Sequence, residues 1–224
     1  MINKFRSAAT LVRRFGILAP LHSSISRILE RIVGYRRFNV IILERGALRP
    51  FNERSGTRLS SRLATRGDLE SLIAQGDWGI TEEKLAWMQC GYLCFLCEVD
   101  GRTAGYTWAH DQETAELIQG LSISVPPDLI YNFDGFTHPD YRGFGLQGFR
   151  HHSVLGHSAW DSKRGLLGYV VARNYSSRKG QAKSGYSTIG VIRMMKLGER
   201  LLTFFSSGLG RLGIRRSGHG PGTE

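Results

Sequence analysis

Two apolar rhythms alternate along this chain, and together they predict a mixed fold of strands and helices. Period-two or continuous apolar runs mark strands at Arg36 to Glu44, Tyr92 to Glu98, Thr103 to Ala109, Glu116 to Val125, Leu129 to Thr137, Leu166 to Ala172 and Tyr186 to Met194. A strand end is expected at Arg62 to Thr65. Helical spacing falls between them, over Asp68 to Ala74, Thr81 to Gln89, Leu146 to Trp160 and Asn174 to Ser184. Thr81 is a natural N-cap, with Glu82 and Glu83 suited to the first turn and Gly91 to the stop. Asp100-Gly101 between two strand patterns predicts a tight hairpin. Residues 46–57 are turn-rich and suit a linker. These boundaries divide the chain into a basic N-terminal extension (1–57), a catalytic-type domain (58–198), and a C-terminal helix with a flexible tail (199–224).

Charge sharpens that division. The 224 residues carry a formal net charge of +11. Residues 1–66 hold 14 Lys/Arg against 3 Asp/Glu, 67–134 hold 2 against 12, and 135–224 hold 14 against 4. An acidic middle therefore lies between two basic ends, read either as solvated faces or as a C-terminal half that holds a polyanionic ligand with an acidic middle facing a cationic one. Within residues 1–33, basic and apolar positions alternate as in an amphipathic helix, interrupted near Gly16 and Pro20. Three readings of that segment stand: peripheral contact with an anionic membrane, an organelle-type presequence, or a helix packed on the domain. No apolar run approaches the length a membrane span requires. Cys94 and Cys97 are three apart on a strand and point to opposite faces, so they do not form a metal or redox pair. The three cysteines read as thiols of a reducing compartment, and the chain as cytoplasmic, at most peripheral at the inner membrane face.

The chemistry concentrates after the strand that ends at Thr137. There Pro139-Asp140-Tyr141-Arg142-Gly143-Phe144-Gly145-Leu146-Gln147-Gly148 leads into a helix. A glycine-rich turn at a helix N-terminus presents several N–H groups on one small surface, and the helix dipole adds to their attraction for phosphate. A dinucleotide fingerprint would also need an acidic residue about twenty positions on at a strand end, and none is there. The spacings of His151, His152 and His157 miss zinc-ligand geometry. Ser153 and Ser158 lack the setting of a hydrolase nucleophile.

Two motifs resemble those of the GNAT superfamily of acyl-CoA N-acyltransferases. One is Thr137-His138-Pro139-Asp140-Tyr141-Arg142-Gly143-Phe144-Gly145; the other is Asn174-x-x-Ser177 followed by Gly185-Tyr186. The resemblance implies an α+β, three-layer fold: a mainly antiparallel mixed sheet, splayed between two parallel strands, with helices on both faces. It implies acyl-CoA, most simply acetyl-CoA, as donor without a metal, and a primary amine on a small molecule or peptide as acceptor. Transfer would be direct, in a ternary complex. By the same resemblance, Arg142, Gly143, Phe144, Gly145, Leu146, Gln147 and Gly148 hold the diphosphate. The backbone of Phe136 and Thr137 pairs with the pantetheine arm, and Asn174 and Ser177 reach it from the other side.

Two positions depart from the family pattern. Gln147 stands where the loop usually has a small residue, and Gln181 where many members have a proton-donating tyrosine. Water, Tyr175 or Tyr186 would then serve as acid, or no dedicated acid exists. For the base the candidates are Asp134 and Tyr131, which strand alternation places on opposite faces. The helix Thr81 to Gln89 and the loop around Asp111 are expected to wall the acceptor side. The rival reading is a GNAT-type scaffold with little turnover that contacts membrane or nucleic acid through its basic N-terminal segment. Nucleic acid is the less favoured partner of the two.

Overall fold

The structure, a computed structural model, describes residues 18–51, 56–118, 121–198 and 200–217, with 18–23 and 217 as backbone only. In chain order the elements are α1 (Leu18–Val33), β1 (Arg36–Glu44), β2 (Leu59–Leu63), α2 (Arg66–Gln75), α3 (Glu82–Gln89), β3 (Leu93–Val99), β4 (Arg102–His110), β5 (Thr114–Ile118) and β6 (Leu121–Ser124). Then come β7 (Leu129–Thr137), α4 (Leu146–Leu155), β8 (Gly165–Val171), α5 (Tyr175–Ser184), β9 (Ser187–Leu197), β10 (Arg200–Phe205), α6 (Ser207–Arg211) and β11 (Arg216–Ser217).

Eight strands form one sheet in the order β10-β9-β1-β8-β7-β4-β3-β2. Every neighbouring pair is antiparallel except β7–β8, which is parallel. Side chains alternate between two cores. On one face α2 and α3 cover β3 and β4 through Leu69, Leu72, Leu85, Cys94, Leu96, Tyr106 and Trp108. Farther along that face, the β5–β6–β11 sheet and Leu209 of α6 pack on Phe38, Val40, Tyr131, Leu167 and Ile192. On the other face α4 buries Val154 and Leu155 against Leu43, Phe95, Ile130 and Leu166. Cys94 and Cys97 do enter different cores.

Several expectations are corrected. The segment assigned to an N-terminal extension supplies β1, which lies inside the sheet between β8 and β9. Its run from Phe38 to Leu43 is buried throughout because both faces are covered. The single strand expected over Glu116 to Val125 is a separate hairpin, β5–β6. At the other end, residues 200–205 form the edge strand β10 ahead of the one-turn helix α6, where only a helix was expected before the tail. Thr81 occupies the N-cap position of α3 but its side chain makes no capping bond. The expected helix over Leu146 to Trp160 stops at Leu155 and resumes as a short 3-10 turn at Ser158–Trp160. Residues 1–17 and 218–224 lie outside the described residues. Among those described, no helix is long and apolar enough to cross a membrane.

Candidate active site

The parallel strands are paired only through Leu129–Gly165, Ile130–Leu166 and Tyr131–Leu167. Past that point β7 continues over 132–137 and β8 over 168–171, and the two part. β7 stays paired with β4, and β8 with β1. The edges that face the gap are therefore those that a third extended chain can hydrogen-bond. Its base is narrow, since a Cβ on Gly168 would approach the Asn132 carbonyl to 3.0 Å. Asn132 is fixed there, its Nδ2 donating to Thr107 Oγ1 at 2.9 Å and to the Trp108 carbonyl at 3.0 Å.

The glycine turn lies at the open end of this gap. Pro139–Tyr141 make one 3-10 turn, and α4 starts at Leu146 after Gly145. Gly143 and Gly145 have φ of +94° and +82°, a region where a side chain is strained. A Cβ on Gly143 would meet only open space, so its glycine is required by the backbone and leaves the surface bare. The first turn of α4 holds Leu146, Gln147 and Gly148, whose N–H groups have no carbonyl four residues back to bond. Gly148 serves packing instead. A Cβ there would lie 2.7 Å from Phe51 Cβ, so the glycine admits the chain after β1 onto the helix. Gln147 also turns inward. Its Nε2 donates to the Ser177 carbonyl at 3.3 Å, and its amide occupies the space above Gly180 that a side chain there would need. The departure at Gln147 thus bolts α4 to α5, one helix on each side of the gap.

The β7 wall carries a bulge. Tyr106 pairs with Phe136 and Trp108 with Phe133, so Asp134 and Gly135 together oppose Thr107. Asp134 has φ of +46°, and the extra residue shifts the strand's phase. Asp134 consequently reaches the α3 side, where its Oδ2 meets Lys84 Nζ at 2.6 Å. Phe133 and Tyr131 point to that face too. The expectation that Asp134 and Tyr131 face opposite ways fails for this reason. Nor is Asp134 buried: 34% of its side chain remains exposed. Tyr131 is 1% exposed within the core, its hydroxyl donating to the Glu116 carbonyl at 3.4 Å. Burial drives its pKa far above the ordinary value, which removes it from the open surface and from base chemistry.

Arg150 is a residue that the sequence pattern did not single out. It lies on α4 between Leu146 and Val154, all three buried at spacings of four. A charge interrupting a buried stripe was the available signal. Its Nη1 donates to the Phe136 carbonyl at 2.6 Å and to Thr137 Oγ1 at 2.7 Å. Burial pushes the guanidinium pKa below its usual value. The Phe136 carbonyl is directed at Arg150 and at Gly105 of β4, not at the gap. By strand alternation the main-chain groups of Thr137 face the gap instead. Lys84, the other residue not foreseen, also donates to the Gly79 carbonyl at 2.7 Å.

On the far bank Asn174 caps α5, its Oδ1 accepting from the Ser177 N–H at 3.1 Å. Tyr175 and Tyr186, the two side chains considered for proton donation, line one cavity of about 500 Å³ between α5 and strands β1, β8 and β9, together with Gln181. Gln181 Oε1 is buried there without a partner. Burial pushes the Tyr186 hydroxyl well above its ordinary pKa. The loop at Asp111 lies at the closed end of the strand pair, ion-paired to Lys163 at 2.8 Å, and does not border the opening.

No protein-family profile and no curated protein matches the chain. Solved structures do. A protein from Novosphingobium aromaticivorans, described as an acetyltransferase of the GNAT family, superposes with a TM-score of 0.50 at 18% identity. The match covers 77% of this chain and 66% of that one. The fold is that of the GNAT acetyltransferases. Two further solved structures align at a TM-score of 0.45. YncA from Salmonella typhimurium, solved with acetyl-CoA, is 17% identical over 66% of this chain and 91% of its own. AAC(6')-Iy, solved with a bisubstrate analogue of CoA and acetylneamine, is 15% identical over 66% and 97%.

Proposed function

We propose that this protein is an acyl-CoA-dependent N-acyltransferase, most simply an acetyltransferase acting on a primary amine. The observation that carries the reading is the gap between β7 and β8, which opens toward the glycine turn before α4, where Gly143 leaves the surface uncovered. These residues fit the donor. The N–H groups around Gly143 to Gly148, with Arg142 beside them, suit a diphosphate. The main chain of Thr137 and the α5 start at Asn174 and Ser177 suit the two edges of a pantetheine arm lying between the strands. Bound there, an acyl-CoA supplies an activated acyl thioester.

The chain's own contribution is placement and proton handling. Holding an amine beside a fixed thioester makes the transfer effectively unimolecular. The ammonium first gives up one proton to become a free amine; its nitrogen then bonds to the acyl carbon and the carbon–sulfur bond breaks, while a second proton leaves nitrogen and one reaches sulfur. Asp134 stands on the β7 bulge on the α3 side, and with Lys84, which lies over the Trp87 and Tyr106 rings, it forms a polar pair. In this reading Asp134 orients the incoming ammonium and takes its proton, directly or through water. The sulfur's proton comes from solvent, because Gln181 is no acid.

Gln181 also favours a second reading, a scaffold that binds the coenzyme with little turnover. Thermal unfolding with acetyl-CoA, followed by thiol release against amines, aminosugars and peptide N-termini, tests both. Acetyl-CoA at a hundred times its Kd should stabilise the fold by about 2.7 kcal/mol. At least one amine should raise thiol release above hydrolysis. Stabilisation without release would leave the scaffold reading, and no stabilisation at millimolar coenzyme would remove both.

A further inference from the structure

Helix α1 is mounted with its apolar side outward. Its positions facing the domain are Ser26, Glu30 and Val33, each only partly exposed. Glu30 fastens that side: it pairs with Arg36 at 2.9 Å and also with Arg173, beyond the end of β8. A separate, outward side carries Ile25, Ile28, Leu29 and Ile32 at helical spacing, 49%, 55%, 39% and 73% exposed. An amphipathic helix ordinarily buries such a stripe. Here the polar contact is with the fold, and the apolar stripe is offered to something else.

The surroundings of the stripe are cationic. Arg27 and Arg31 are exposed on the same helix. At the end of the sheet to which α1 is joined, Arg37, Lys196 and Arg200 are exposed, as is Leu197 at the β9–β10 turn, at 51%. Gly34, just after α1, lies against Lys196. Outside the described residues, the sequence that precedes α1 carries Lys4, Arg6, Arg13 and Arg14 and no acid.

We propose that this end of the molecule docks on an anionic lipid bilayer, with α1 lying in the interface plane and its isoleucine stripe in the acyl boundary. The charge pattern decides between occupants. A second copy would bring its own exposed Arg27, Arg31, Arg37, Lys196 and Arg200 to the same cationic end, and the sequence before α1 would add four more cations. Anionic headgroups neutralise all of them. None of the described helices is long and apolar enough to span, so the helix lies on the surface. This inference is independent of the acyltransferase reading.

The test is co-sedimentation of the full chain with vesicles of phosphatidylcholine alone, and of phosphatidylcholine and phosphatidylglycerol in equal parts. Binding to the anionic vesicles, weak binding to the neutral ones, and release by salt are expected. Ile28→Glu with Ile32→Glu, both at exposed positions, should weaken binding by about tenfold or more. Arg27→Glu with Arg31→Glu should abolish the preference for the anionic vesicles. Circular dichroism and the unfolding midpoint should stay at wild-type values in both variants. The proposal is overturned if the wild type does not sediment with anionic vesicles. It is also overturned if the isoleucine variant binds them equally well, or if that variant instead dissolves a concentration-dependent dimer formed without lipid.

Discussion

Gly143 and Gly148 lie in one loop and do opposite things. Gly143 is needed for its positive φ and leaves the surface open, whereas Gly148 is needed because Phe51 rests on it. Gly148→Ala should therefore destabilise the fold by about 1–3 kcal/mol through overpacking, read as a lower urea midpoint. Gly143→Ala should cost about 1–2 kcal/mol in backbone strain, and should weaken coenzyme binding by displacing the amides, read by calorimetric titration. The glycine spacing was legible in sequence, but the division of labour was not. It depends on Phe51, nearly a hundred residues away in the chain, arriving over one glycine and not the other. Arg150 makes a second test. Arg150→Met leaves the Phe136 carbonyl without its donor and should cost about 1–3 kcal/mol, with Arg150→Lys recovering part of it.

Among the elements, α5 separates a structural role from a binding one. Asn174 caps the helix through Oδ1, so Asn174→Ala should lose about 1 kcal/mol of stability. Asn174→Asp keeps a capping oxygen and removes the amide donor. It should unfold like the wild type while binding acetyl-CoA more weakly, which a paired melting and titration experiment resolves. Equal affinity in the two proteins would make Asn174 a cap alone. Strand and helix positions were largely readable from apolar periodicity, β7, α4, β8 and α5 among them. The bulge in β7 was not, because two residues opposing one is a property of the pairing with β4 and leaves no mark on the alternation of either strand. That bulge is what carries Asp134 round to Lys84. β1 was legible as a strand but not as a central one, since its partners β8 and β9 lie more than a hundred residues downstream.

For the whole molecule, two buried histidines set an acid limit. Burial lowers His110 to about 4 and His151 to about 3, the latter helped by the neighbouring Arg150 charge. An unfolded histidine takes its proton at about 6.5, so below that pH the unfolded chain binds protons that the folded one refuses. The stability is complete above about 6.5 and is lost as pH falls toward the folded values. Urea unfolding at pH 7.5 and pH 5 should differ by about 2 kcal/mol for each histidine, and His110→Phe should remove its share.

The proposed chemistry depends on one contact, between the α4 N-terminus and a diphosphate at the mouth of the β7–β8 gap. Calorimetric titration with CoA and with pantetheine, which lacks the diphosphate, addresses it directly. Saturable CoA binding, with pantetheine weaker by at least about 1.4 kcal/mol, or tenfold, is the predicted result. Equal affinity for the two, or no heat from CoA at millimolar concentration, would contradict it.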